Sequence, residues 1–272
     1  MIQDILSYFL QTIWGASFIG STDALQLSIA DYNSTAYYFG KTINSIVVKP
    51  VAAVVVSIIL VLELARVSSR FDGDSKTGVQ VVATVMIKAA LLIVALQNVD
   101  LILGAINEVG DNFTSNIASH VTTETMEAGD IAAADQGIVE GLASIIVLFI
   151  PWLVALVASI VVKLVVLIRF AEIYILSAAA TLPLAFLGHE DTKQIAIGYL
   201  KRYATAVLHG AMLLIVIGVY SKLHIGGLEI GETDFSMMDI IQNIPSLLLG
   251  PLLLLFLTLS SGKFARALVG EG

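Results

Sequence analysis

The sequence predicts an all-α, polytopic membrane protein with about five transmembrane helices, a re-entrant or in-plane segment and an N-terminal amphipathic helix. Three observations carry that expectation. Hydrophobic residues make up 57% of the chain and charged residues 13%, whereas a soluble domain is near half apolar and a quarter charged. Several apolar runs approach or exceed the roughly 20 residues that a helix needs to cross about 30 Å of hydrocarbon. Lys and Arg collect in some of the links between those runs and are missing from others, the asymmetry that sorts loops across a membrane.

Residues 1–45 read as an N-terminal amphipathic helix followed by an extracytoplasmic segment. Ile2, Ile5, Leu6, Phe9, Leu10, Ile13 and Trp14 recur at the spacing of one helical face. Such a helix lies in the membrane interface with Trp14 at headgroup depth, or packs as a core helix on its own protein; periodicity suits both. It does not read as a cleavable signal peptide, because a basic start is missing and Gln3, Asp4, Ser7, Gln11 and Thr12 interrupt the apolar run.

The transmembrane domain is expected over 46–265, with spans near 46–64, 79–106, 138–163, 203–220 and 244–261. The run from Ile138 to Leu187 is the difficult one, since its 50 residues as a single helix would reach about 75 Å. Loop charges arbitrate. Residues 66–78 carry Arg66, Arg70 and Lys76, and residues 188–202 carry Lys193, Lys201 and Arg202. Lys263 and Arg266 follow Ser261. By contrast, the acidic loop 107–137 has no Lys or Arg, and 221–243 sets Lys222 against Glu229, Glu232, Asp234 and Asp239. Placing the basic links inside makes the N-terminus extracytoplasmic and the C-terminus cytoplasmic. It also requires that 164–187 not cross. Ten of the 14 Lys and Arg residues are then cytoplasmic, two are outside, and Lys49 and Lys88 lie within spans. The segment 170–187, rich in small residues and holding Pro183, is expected to re-enter or lie in plane. The alternative is a kinked sixth span.

Charges within these apolar runs mark candidate sites. Lys163 and Arg169 are expected at the cytoplasmic end of the third span, with Arg169 and Glu172 paired on one helical face. Lys88 lies deep in the second span; Glu63 is its nearest candidate partner, or the lysine snorkels toward the interface. Gln97, Asp100, Gly104, Asn107, Glu108 and Asp111 repeat at spacings of three and four. That row reads as the lining of a pore or oligomer axis, or else as a seam between helices.

Other chemistry finds no support. "GDSKTGV" at 73–79 lacks the Lys-Ser/Thr ending of a phosphate loop. His120, His189, His209 and His224 have no metal-ligand spacing, and no nucleophile–base cluster is visible. The chain has no cysteine for disulfides or thiolate sites, and its net charge of −8 opposes nucleic-acid binding through the bulk surface. The expectation is a protein that is not an enzyme and holds no cofactor or metal.

From residue 163 to 220 the order is Arg169-x-x-Glu172, an Ala-rich apolar stretch, "LPLAFLG", a polar link "HEDT", and "GYLKRYATAVLHGAMLLIVIGVY". This order is similar to the central segment of the TrbL-type polytopic subunit of conjugative type IV secretion systems, in the version from Gram-positive mobile elements. The resemblance extends in general plan over residues 40–265. It implies an integral channel or scaffold subunit of the cell membrane, oligomerised around an axis, that helps DNA and relaxase across. Partners would be other secretion-system membrane subunits and separate ATPases, with DNA touched only in transit. The rival reading is a small-solute transporter or permease subunit, whose midplane site Lys88, Asp100 and Pro183 would supply, although no internal repeat is visible.

Overall fold

The computed structural model describes residues 2–13, 19–68, 75–121, 132–133, 137–223, 234–235 and 237–270. The described chain is almost wholly helical. Its helices are α1 (Ile2–Ile13), α2 (Ile19–Gln26), α3 (Ile29–Tyr32), α4 (Ser34–Ile43), α5 (Lys49–Ser68), α6 (Ser75–Gln97) and α7 (Val99–His120). They continue with α8 (Ile138–Ala179), α9 (Thr181–Ala185), α10 (Lys193–Lys222), α11 (Met237–Gln242) and α12 (Ile244–Val269). The one sheet element among the described residues is a two-residue parallel pairing of β1 (Ala132–Ala133) with β2 (Asp234–Phe235). Among the described residues, five helical segments are long and apolar enough to cross a membrane: Ser34–Ser68, Val79–Gln97, Ile138–Ala179, Lys193–Lys222 and Ile244–Val269.

Two helices have bounds that differ from those of the spans expected within them. The helix that holds the second expected span, 79–106, ends at Gln97, and a new helix opens at Val99 after a turn at Asn98. Its side-chain Nδ2 donates to the Val94 carbonyl at 2.8 Å, and its own carbonyl accepts from Leu101 and Ile102 to start α7. An Asn side chain that competes for backbone acceptors is a common way to end one helix and open another. The third helix does not end near Lys163. It runs on through Arg169 and Glu172 to Ala179 as one 42-residue helix, about 63 Å long. Lys163 sits exposed on its surface. A charge changes where a helix lies but leaves its backbone hydrogen bonds intact, and no Pro or Gly occurs between 152 and 179. Pro183 falls within the first turn of α9, where a missing N–H breaks no intrahelical bond. The expected re-entrant stretch is thus the tail of α8, then α9 and a 3₁₀ turn over Phe186–Gly188.

α4 and α5 form one continuous helical rod, joined by a π-helical turn over Asn44–Val48. Such a turn adds a residue to the ladder and re-aims what it carries. Here it holds Asn44, which is 1% exposed. Its Oδ1 accepts from the Thr181 hydroxyl at 2.8 Å and from the Thr181 N–H at 3.4 Å, satisfying a free donor at the start of α9.

The chain divides into two compact units. The first comprises Met1–Leu27, Asn112–Arg169 and Leu208–Ala265; the second comprises Ser28–Asp111, Phe170–Val207 and Arg266–Gly272. In the first unit, Leu6, Phe9, Leu10 and Ile13 of α1 pack with Leu148, Ala155, Ile240 and Leu247. Phe9 stacks on Trp152, with ring centroids 4.7 Å apart and planes 13° from parallel. Of the two readings of the N-terminal helix, the packed core helix is therefore the one realised; Trp14 lies outside the described residues. In the second unit, Tyr32 stacks on Phe170 at 3.8 Å, and the Tyr174 hydroxyl donates to the Ile29 carbonyl at 2.9 Å.

Candidate functional site

In the second unit, α5 and α6 pack on each other and on α9, leaving a cavity near each end of the helix pair. The smaller cavity, about 250 Å³, is bordered by Lys49, Gln97 and Thr181 above a floor that includes Ala52, Val56 and Leu96. Lys49 Nζ lies 3.6 Å from the Asp100 carboxylate and 3.5 Å from the Gln97 carbonyl. One ammonium thus meets the carbonyl end of α6 and an acid in the first turn of α7, where the helix dipoles favour both charges. Lys49 stitches the break at Asn98.

The larger cavity, about 450 Å³, carries Glu63, Lys88, Glu190 and Lys193 among apolar groups. Glu63, the expected partner of Lys88, is held by His189, whose Nδ1 lies 2.6 Å from Oε2. His189 Nε2 is 3.2 Å from the Asp191 carboxylate, which also lies 3.5 Å from Arg66. With both ring nitrogens aimed at carboxylates, His189 clamps the link after α9 onto the end of α5. The Lys88 ammonium, exposed on α6, makes no hydrogen bond or ion pair among the described residues.

The polar row expected to line a pore divides between faces. Gln97 ends α6, before the break, and is exposed. On α7, Val99, Leu103, Asn107, Gly110 and Thr114 form the buried face. Asp100, Gly104 and Asp111 are half-buried, and Glu108 is exposed, on the adjoining flank. Asn107 is 8% exposed, and its Oδ1 accepts from the Tyr203 hydroxyl at 2.8 Å, so it belongs to the packed interior. Ser177 approaches the same hydroxyl at 3.3 Å. The result is a buried chain of polar groups from α7 through α10 to α8. Gly110 permits this approach, since a methyl built there would overlap Val207.

Two charges of the third helix, Arg169 and Glu172, have the following surroundings within their own units. Glu172 is paired with Arg202 of α10, Nε to Oε1 at 2.7 Å. Arg169, in the first unit, is 1% exposed. Its guanidinium lies against Gly210, where an added methyl would overlap Cζ and both terminal nitrogens. Nearby on α10, His209 Nε2 meets the Ser261 hydroxyl of α12 at 2.8 Å. Asn44, His189, Arg202 and Tyr203 are structural partners that the sequence reading did not single out. Asn44 alone carried a local signal, as an amide at the edge of a long apolar run. The others are ordinary polar residues until their distant partners are known. No group of three or more His, Asp or Glu residues able to hold a metal ion is present among the described residues.

Fold and charge placement together define a multi-pass helical membrane protein. Residues 21–181, more than half of the chain, match the family model described as TrbL/VirB6 plasmid conjugal transfer like protein. The chain belongs to that family and is accordingly a conjugal transfer membrane subunit, a component of type IV secretion. No curated protein and no solved structure matches it.

Proposed function

We propose that this chain is an integral channel or scaffold subunit of a conjugative type IV secretion system, which helps a DNA–protein substrate cross the cell membrane. The observation that carries the reading is the family match over residues 21–181. Energy comes from separate ATPase subunits, and the other membrane subunits of the machinery are its partners.

The topology is five spans with the N-terminus outside and the C-terminus cytoplasmic. Charge asymmetry between the links motivates it, and contacts within each unit support it. Glu63 and Arg66, at the first basic link, meet His189 and Asp191 at the second, while Lys201 donates to the carbonyl of Gly270 near the C-terminus at 3.1 Å. These three regions share a side in the charge-based layout. In the first unit, the pairing of Ala132 with Asp234 joins the two links assigned to the opposite side. The chain forms a homo-oligomer in which Asp100, Gly104, Glu108 and Asp111 face a wet axis, with Asn107 anchoring the same helix inward. A lining of carboxylates keeps a polyanion from adhering.

A mating assay with an in-frame deletion and complementation tests the function. Transfer should fall to background in the deletion and return when the chain is supplied in trans. Undiminished transfer in the deletion, with the other machinery genes intact, contradicts the proposal.

A further inference from the structure

The helix that leads into the first apolar span turns two large aromatic rings outward. Tyr38 and Phe39 of α4 are 62% and 67% exposed. Another side of the same helix is fixed on the second unit. A Cβ added at Gly40 would lie 2.9 Å from the Tyr174 carbonyl, so the two backbones approach closely there. The Tyr37 ring meets that of Tyr174 edge-on, with centroids 6.3 Å apart. The two exposed rings stand clear of these contacts.

Their surroundings follow from what they continue. α4 and α5 form one helical rod, whose exposed apolar side runs through Ile46, Val51, Val54, Ile58, Val61 and Leu62. Between the rings and Ile46, the exposed residues Thr42 and Ser45 interrupt that side. Both turn their hydroxyls back onto the rod's own carbonyls, Thr42 to Tyr38 at 2.9 Å and Ser45 to Thr42 at 3.2 Å. A hydroxyl satisfied in this way is tolerated against lipid. Lys41 Nζ lies 4.7 Å from the centroid of the Tyr37 ring, drawn back one turn toward the start of the rod. Leu62 stands 23 residues after Phe39, about 34 Å along the axis. Hydrocarbon is about 30 Å thick, and the bilayer with its headgroups about 40–45 Å. With Leu62 at one edge of the hydrocarbon, Phe39 falls about 4 Å beyond the other, inside the headgroup layer. Past it the exposed residues Asn33, Ser34 and Thr35 are polar.

We propose that α4 is an interfacial anchor, with the rings of Tyr38 and Phe39 lodged in the headgroup layer of the bilayer and holding the start of the first span at that depth. Aromatic rings suit this layer, because their apolar bodies meet acyl chains while the Tyr38 hydroxyl reaches water and headgroup oxygens. With the N-terminus outside, the layer belongs to the outer leaflet. The membrane-embedded rod therefore begins within α4, where the sequence reading placed an extracytoplasmic segment.

The test uses the full chain, which has no cysteine, in vesicles of phosphatidylcholine and phosphatidylglycerol. Thr35→Cys, Tyr38→Cys, Phe39→Cys, Thr42→Cys and Val54→Cys are made singly and each carries a nitroxide. Exposure of the label to oxygen, which concentrates in hydrocarbon, is compared with exposure to a water-soluble nickel complex. Labels at positions 38 and 39 should report a depth between position 54, rich in oxygen, and position 35, rich in nickel. This reading does not depend on which leaflet holds the rings. The label at position 42 then reports the anchor. Tyr38→Ser with Phe39→Ser should raise its nickel exposure toward that of position 35. Tyr38→Trp with Phe39→Trp should leave it low, and guards against a serine pair that fails to fold. Nickel exposure at 38 and 39 equal to that at 35 overturns the anchor, because the rings would lie in water. Shielding of both labels from oxygen and nickel alike also overturns it, by placing a protein surface over α4. Exposure at position 42 that the serine pair leaves unchanged contradicts the holding role of the rings.

Discussion

α6 and α10 are both apolar enough to cross a membrane, yet their surroundings are opposite. In α6 the most apolar window has a mean hydropathy of 2.4 and 11% of its residues are buried within the protein. In α10 the window is less apolar, at 1.9, and 56% of it is buried. A soluble protein would reverse this order, because water penalises exposed apolar surface. In a bilayer, lipid tails solvate Leu and Ile as well as protein does, so helices pack through small residues and polar contacts. α10 accordingly carries Tyr199, Tyr203, Thr205, His209 and Gly210, whereas α6 presents Met86, Ile87, Leu91 and Val94 outward. The less apolar helix is the more buried of the two.

The comparison breaks most readily at the glycines of α10. Gly210→Val drives a branched side chain into the buried guanidinium of Arg169, and overpacking of this kind costs about 1–3 kcal/mol. Gly198 lies on the same helix with nothing within 4 Å of an added Cβ, so Gly198→Ala should be neutral or gain up to about 1 kcal/mol. Thermal unfolding of both variants in one detergent separates the sites; equal, small shifts would mean that α10 is not tightly packed near Arg169.

A loss of similar size is expected from Tyr203→Phe. It removes the hydroxyl that donates to Asn107 and leaves that buried amide short of a partner, for about 1–3 kcal/mol. The double variant Tyr203→Phe with Asn107→Leu should recover part of the loss, because the orphaned group goes too. Additive losses would show that the hydroxyl and the amide do not interact.

The smallest effect belongs to the exposed Glu172–Arg202 pair. Its side chains are 27% and 44% exposed, and solvent screening holds such pairs to about 0–1 kcal/mol. Exchanging the two charges should leave stability within that range; a loss as large as that of Gly210→Val would place the pair in a drier setting than its exposure indicates.

Much of this fold was legible in composition and charge, because hydrocarbon demands long apolar helices and insertion sorts Lys and Arg. Five helical spans follow from those two facts. The helix bounds within and beyond those spans depend on subtler competition. α6 gives way to α7 at Asn98, whose side chain bonds back to Val94, and a polar residue in an apolar run does not announce which carbonyl it will take. The row from Gln97 to Asp111 looked continuous because periodicity was counted across that break. Asn107 and Glu108 are neighbours in sequence, yet one is buried on Tyr203 and the other exposed. Lys163 looked like a terminus, but the ladder of α8 passes it undisturbed. Long-range pairings such as His189 with Glu63 or Asn44 with Thr181 join residues more than a hundred positions apart, beyond the reach of any local pattern. The motif stretch behind the family resemblance, 163–220, overlaps the matched residues only over 163–181; the match draws more on the N-terminal half.

Cysteine accessibility in mating-competent cells tests the five-span membrane subunit most directly. The chain has no cysteine of its own, so single substitutions at Asn116, Thr192 and Glu232 need no background removal. Each variant is scored for transfer and then treated with an impermeant thiol reagent. The account predicts that transfer-competent cells label at Asn116 and Glu232 and remain unlabelled at Thr192 until the membrane is opened. Labelling of Thr192 in intact cells would put the link between α9 and α10 outside and contradict the layout.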